Sequence, residues 1–413
     1  MRWHYFISQL KAFFVNPKNI GLYIATALLS LYFGLVSVPN HHVINRVDPY
    51  SIQKEYKNDT AFLKSAKKQY EQARKPWLTI DPSAGAKDAI ATYPTILKYD
   101  KKRLAALKAN DWKEYALYSS KWYKYVDNLI FVEENQNYMY PVEYGHNGIY
   151  KENGHYGYQQ TYHLYNALLA SKAKLNKKVL EERTALQRIQ NSLSGWTTLI
   201  LIIIVIFFAA DILTNDYKYR TVVKNIPLSK STILWLKTAV VEIGVLLDFL
   251  MAFIIAVVCI APKYGLGSFN LRTTFYMGRL YFKVPFTYLT LGTYYLQLSI
   301  FAILIVFIFI RLTLLISLLS RNEYVAEILS SLFAVAGKVL YFSSGMGFVY
   351  PFLQYLPTTY FTIGDSLSGN LSYLMDTPGW GFNAGIVPLV LTVLAIELVM
   401  LLIYRIKKIP LIK

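Results

Sequence analysis

Six apolar runs of about 20 residues divide this chain, and no other feature narrows the fold as far. A helix rises 1.5 Å per residue, so about 20 apolar residues cross the ~30 Å hydrocarbon core of a bilayer. The runs fall at 20–38, 196–213, 233–260, 294–319, 325–342 and 384–404 of 413 residues, 54% of which are hydrophobic. The expected fold is an all-α integral membrane protein with six transmembrane helices. The first run is no cleavable signal, because it starts only at Ile20 and no small-residue cleavage pattern follows it.

Lysine and arginine near the span ends give the orientation. Arg2, Lys11 and Lys18 precede the first run; Arg405, Lys407 and Lys408 follow the last; Lys218, Arg220, Lys224 and Lys230 lie between the second and third. Six crossings put all of these on one side, expected to be cytoplasmic, with both termini. Residues 262–293 carry Lys263, Arg272, Arg279 and Lys283 with no acid, yet fall outside. Ahead of the first span, Trp3, Phe6, Ile7, Leu10, Phe13 and Phe14 recur at helical spacing with Arg2 and Lys11 off the stripe. This predicts an interfacial helix that Pro17 ends, making 1–39 one unit with the first span.

Residues 40–195 are too many for a loop and are expected to form an extracellular helical domain, a cap. They hold 24 Lys+Arg, 16 Asp+Glu and 17 Tyr. Asp111 with Glu114 suggests a capping box, followed by a helical stripe of Tyr115, Tyr118, Trp122, Val126 and Leu129. Leu168 and Leu175, then Val179, Leu186 and Leu193, step by seven residues and predict one long helix running into the second span at Gly195. Residues 196–413 hold the five further spans.

The formal charge of +18 suits anionic lipid or acidic ligands, and no nucleic-acid motif accompanies it, so no nucleic-acid partner is expected. The single Cys259 excludes an intrachain disulfide, and a large exported domain without cysteine suits a bacterial surface. Glu143, His146, His155 and His163 are metal-ligating types in one stretch, but their spacing matches no standard zinc site and no metal is expected. No nucleophile–base constellation stands out, so no catalytic residue is assigned.

The segment "NDYKYRTVVKNIPLSKSTILWLK", 215–237, separates spans two and three. It predicts a short helix, a turn at Pro227, and a cap from Ser229 or Ser231 on the next helix. Composition suits a docking element and a plain basic connector held by lipid headgroups equally well. The residue pattern resembles the cytoplasmic loop of ABC exporter permeases of the type-two class. Their pattern is an acid, three residues, Gly-Thr, a Pro-x-Ser-Arg element and a lysine entering the next span. Asp216 stands at the acid, Thr221 at the threonine, Pro227, Ser229 and Lys230 at the proline element, and Lys237 at the last lysine. Asp216 replaces the more usual Glu, Arg220 the glycine, and Lys230 the arginine. The interfacial helix, the six spans and a broken hydrophobic segment before the last span are also similar to that family. That segment, about 345–370, contains Pro351, Pro357 and a candidate helix cap at Asp365, and is expected to dip into the outer leaflet. The cap lies outside the family's minimal plan.

The resemblance implies a coupling helix at about 215–232, with Asp216, Arg220, Thr221, Asn225, Pro227, Leu228, Ser229 and Lys230 docking on a separate ATP-binding cassette subunit. The sequence has no G-x-x-x-x-G-K-[ST] loop, so ATP and magnesium are expected on that ATPase and no cofactor in this chain. The implied function is the permease subunit of a bacterial cell-membrane exporter, paired as a homodimer or with a second related permease. Its substrate is expected to be hydrophobic or amphipathic, a peptide first and a lipid or lipid-linked glycan second. The competing class is a non-transporting membrane sensor or immunity protein with a ligand-binding cap. Within the spans, Asp248, Lys338 and Glu397 are expected to pair between helices or to line a translocation path, while Arg311 and Glu242 are near enough to helix ends to snorkel.

Overall fold

The computed structural model describes residues 1–73, 84–144, 150–214, 226–278, 286–342, 351–375 and 378–406. Among them six helices are long and apolar enough to span a membrane, so the chain is a multi-pass, predominantly helical membrane protein. Helix α1 (Arg2–Val15) ends at Asn16, whose extended backbone and side chain start α2 (Pro17–Tyr32) by accepting the Lys18 N–H at 3.0 Å. Pro17 takes the first helical position, where its missing N–H costs nothing. Span one continues through a π turn at Phe33–Ser37 to Asn40. The predicted stripe of α1 turns partly inward: Phe13 is buried, Phe6 and Leu10 pack on the bundle, and Trp3 is 67% exposed.

The cap contains four longer helices packed in sequence, α3 (Pro49–Ala73), α4 (Ala84–Lys108), α5 (Trp112–Asp127) and α6 (Tyr150–Leu169). Asp111 caps α5 as expected, accepting the N–H groups of Lys113 and Glu114 at 3.1 and 2.9 Å. Tyr115, Val126 and Leu129 of the predicted stripe are buried, with Tyr118 and Trp122 half-buried. The long helix expected to run into span two does not form. The chain breaks after α6, makes the short α7 (Lys177–Leu180) and α8 (Ala185–Ser192), and adopts positive φ at Glu182 (+50°) and Gly195 (+68°). The seven-residue steps are real burial, with Leu168, Leu175, Val179 and Leu186 all in the cap core, but three separate helices and the connection between α6 and α7 supply them.

Span two begins with α9 (Thr197–Ala210) and extends to Thr214; span three is α10 (Lys230–Tyr264). At 35 residues α10 is about 50 Å long, well beyond the hydrocarbon thickness. A hairpin of β1 (Arg272–Tyr276) and β2 (Phe286–Thr290) follows, in antiparallel register with Arg272 opposite Thr290. It is the departure from an all-α reading. The hairpin strands pack on α6, which places the described residues 262–278 and 286–293 at the cap end of the bundle, as the six-span arrangement requires; Arg279 and Lys283 lie outside the described residues.

Span four, α11 (Leu291–Ser320), turns into span five, α12 (Glu323–Gly337), through Arg321 in the left-handed region and Asn322, which caps α12. The broken segment is present: 3₁₀ turns at Pro351–Tyr355 and Pro357–Phe361, then α13 (Ile363–Ser368) and α14 (Asn370–Leu374). Span six is α15 (Phe382–Ile406). Spans two and four are the centre, 61% buried through their apolar windows, against 11–28% for the other four, whose outer faces are left for lipid.

Two expectations follow from the packing. A Cβ on Gly244 of α10 would lie 2.1 Å from the Phe13 ring. Gly244→Ala is expected to destabilise the chain by about 1–3 kcal/mol, and Phe13→Ala in the same chain to relieve most of the strain, read by thermal unfolding in nanodiscs. In the cap, Arg103 is buried against Trp122 and ion-paired with Asp100 at 2.8 Å. The half-buried Asp59 is pushed up to about 6, by burial first and then by Asp100 and Glu55. Its ordinary value is about 3.9, so the folded cap binds the extra proton between the two values. Stability from this group is present below about pH 4 and is lost as pH rises through about 6; melting curves of Asp59→Asn should lack that slope.

Candidate functional site

At the end of the bundle away from the cap, the chain between spans two and three is rooted on both sides. Asp216, Arg220, Thr221 and Asn225 lie outside the described residues. Its closing part is visible: Pro227, Ser229 and Lys230 are exposed and Leu228 half-buried. The Leu228 N–H donates to Ile226 O at 2.8 Å, a three-residue turn around Pro227. Ser229 is the cap of α10, accepting the Thr232 N–H at 3.2 Å. The turn and cap read from the sequence are thus in place, and Ser229 rather than Ser231 makes the cap.

The preceding end is held by Asp211, Asn16 and Thr214, which sequence reasoning passed over, together with Lys18 and Lys237, which it noted for other reasons. Asp211 accepts from Lys18 Nζ at 2.5 Å and Asn16 Nδ2 at 2.9 Å, tying span two to the α1–α2 corner. Lys18 Nζ also donates to Phe207 O at 2.6 Å. Thr214 Oγ1 donates to Glu323 Oε2 at 2.7 Å, reaching the start of span five. Lys237, the lysine entering span three, is buried and donates to Ile212 O at 3.1 Å. The sequence signal was an acid, Asp211, inside "FFAADIL", an apolar run where an unpaired charge is costly. The residues flanking this linker are thus tied to spans one, two, three and five.

Deeper in the bundle, the charges sort differently from the expectation. Arg311 does not snorkel. It is 2% exposed and forms a two-pronged pair with Glu397, through Nε to Oε1 and Nη2 to Oε2, the latter at 2.6 Å. Its Nη1 donates to Thr238 Oγ1 at 3.2 Å and its guanidinium lies 4.6 Å from the Trp235 ring centroid. Spans three, four and six thereby share one ion pair. Asp248, Lys338 and Glu397 are not brought together. Among the described residues Lys338 makes no ion pair and is half-buried at the end of α12, and Glu242 is half-buried on α10.

At the cap end, α6 is clasped to the broken segment. Tyr156 donates to Asn370 Oδ1 at 2.7 Å, Tyr373 donates to Asn153 Oδ1, and the two tyrosine rings stack with centroids 3.9 Å apart. Tyr276 of β1 and Phe286 of β2 close round Tyr156. His163 meets Tyr288 Oη at 3.0 Å, and burial, aided by Lys124, pushes it down to about 4, so it is neutral there. Asp365 is not a helix cap for its own segment: it sits in the first turn of α13 and accepts the Gly195 N–H at 2.9 Å, at the head of span two. His155 pairs with Asp127 at 2.9 Å and stacks on Phe131, Glu143 is exposed, and His146 lies outside the described residues. No group of three metal-ligating residues forms among the described residues.

Comparison with protein-family models, curated proteins and solved structures finds no match to this chain.

The Arg311–Glu397 pair gives a direct test of what holds the spans. Glu397→Gln leaves a buried guanidinium without its counter-charge and should cost about 3–5 kcal/mol. Replacing both residues by methionine should recover most of that loss, as measured by thermal unfolding in nanodiscs.

Proposed function

We propose that this chain is the permease subunit of an ATP-driven exporter in a bacterial cell membrane, with the cap extracellular and both termini cytoplasmic. The observation that carries the reading is the linker between spans two and three. At its described end Pro227, Ser229 and Lys230 are turned out to solvent, while its roots at Asp211, Thr214 and Lys237 are fastened to the bundle. An element built in this way receives force from outside and passes it to several spans at once. A separate ATP-binding cassette ATPase, carrying ATP and magnesium, is the partner the sequence pattern calls for, since no phosphate loop occurs in this chain. Two copies, or this chain with a related permease, would enclose the path for a hydrophobic or amphipathic substrate, a peptide in the first instance and a lipid or lipid-linked glycan in the second. Alternating access would then be a rigid-body exchange driven from the linker.

The clasp between α6 and the broken segment favours one other reading, a membrane sensor or immunity protein. Ligand binding to the cap would pull directly on α14 and the hairpin. The two readings differ at the opposite end, where only the exporter needs an ATPase.

Co-purification of the full chain with its candidate ATPase, beside the Pro227→Ala/Leu228→Asp double variant, decides between them. The exporter reading expects the wild type to retain the ATPase and the variant, with unchanged melting, to lose at least tenfold of it. A wild type that recruits no ATPase defeats that reading and leaves the cap's ligand as the question.

A further inference from the structure

Span three carries a carboxyl group with no counter-charge among the described residues. Asp248 is 0% exposed, and neither of its oxygens has a hydrogen-bond partner among the described residues. Across the contact with span one, Thr26 Oγ1 lies beside it, equally buried and without a closed hydrogen bond. One turn earlier on span one, Tyr23 faces the same place and donates to Gly244 O at 2.7 Å, one turn before Asp248.

Three cations of spans one, three and four are engaged elsewhere. Arg311 of span four is held by Glu397 and Thr238, Lys18 by Asp211 and Phe207 O, and Lys237 donates to Ile212 O. No charged side chain of α1, α8, α9 or α11 adds to the surroundings of Asp248 among the described residues. Space is short as well. A Cβ on Gly244 would strike Phe13, and one on Gly34 of span one would lie 2.5 Å from the Cβ of Cys259 on span three.

A metal ion is a poor occupant for such a site. Hard cations take about six or more oxygens, and the site presents two from Asp248 and one from Thr26. An isolated carboxylate in a dry interior is so costly that it neutralises instead. We infer that Asp248 is an intramembrane proton-binding site, which holds a proton shared toward Thr26 Oγ1 and so keeps spans one and three in contact. The bound proton is the ligand, and its loss would place a bare charge in the contact and part the two spans. This holds whether or not the chain is an exporter.

The native chain carries its own reporter, since Cys259 is the single cysteine and sits in the same contact. Two measurements on full-length protein in nanodiscs test the inference. The first is the infrared difference between wild type and Asp248→Asn at about pH 8, where Asp59 is ionised. A protonated carboxylic C=O band, present in wild type, lost in the variant and shifted by ¹³C labelling of aspartate, is the expected result. Carboxylate bands alone in the difference overturn it. The second is the labelling rate of Cys259 by a membrane-permeant maleimide, relative to detergent-unfolded chain. Asparagine is the neutral isostere of a protonated aspartate, so Asp248→Asn should label within about twofold of wild type. A rise of tenfold or more, or a variant that fails to fold, means that the charge of Asp248 was needed and overturns the inference.

Discussion

Hydrocarbon gives a set of apolar helices no hydrophobic reason to assemble, because lipid tails solvate leucine as well as other helices do. The assembly of this bundle therefore rests on close packing and on polar ties between spans. Arg311, Glu397 and Thr238 join spans three, four and six; Thr313 and Ser330 join four and five; Asp211, Lys18 and Asn16 join two and one. Small residues do the rest, with Gly244 and Gly34 letting ring and backbone approach closely. The ion pair outranks the others, since each partner alone would be an uncompensated charge in a dry site. Its position on three helices explains why they keep one arrangement.

The cap obeys a different physics, because water supplies the drive to bury its aromatic and aliphatic faces. Its core reaches into the membrane domain through Leu271 and Leu291, at the hairpin and the head of span four. Cap and spans are thus not two bodies joined by a tether. The paired Tyr–Asn bonds at Tyr156 and Tyr373 add a directional seam, with the two rings stacked along it.

How much of this was legible follows from which interactions are local. The six spans were readable because each carries its own signal of length and apolarity, and the Asp111 and Ser229 caps because they act over three residues. The hairpin was missed although β-branched and aromatic residues crowd 272–276 and 286–290; a search for membrane helices does not weigh that pattern. The supposed helix through Leu193 failed because a seven-residue step reports burial and says nothing of continuity. Arg311 was misplaced for a deeper reason. Its depth in the helix is written in the sequence, but Glu397 lies 86 positions away, and only the packing of spans four and six decides that they meet. The linker's roots share that difficulty, since Asp211 gains its meaning from Lys18, nearly two hundred residues earlier.

Span two draws these observations together. Among the described residues it is the shortest span, 18 residues or about 27 Å, and with span four the most enclosed. Its head is held at Gly195 by Asp365 of the broken segment, and its foot at Asp211 and Thr214 by spans one and five. Its helix runs Thr197–Ala210, and the ladder turns at Asp211 before the last residues to Thr214. Two residues beyond the short α13, Asn370 of the broken segment accepts from Tyr156 of the cap. A series of contacts through span two thus joins the roots of the linker at one end of the bundle to the cap at the other.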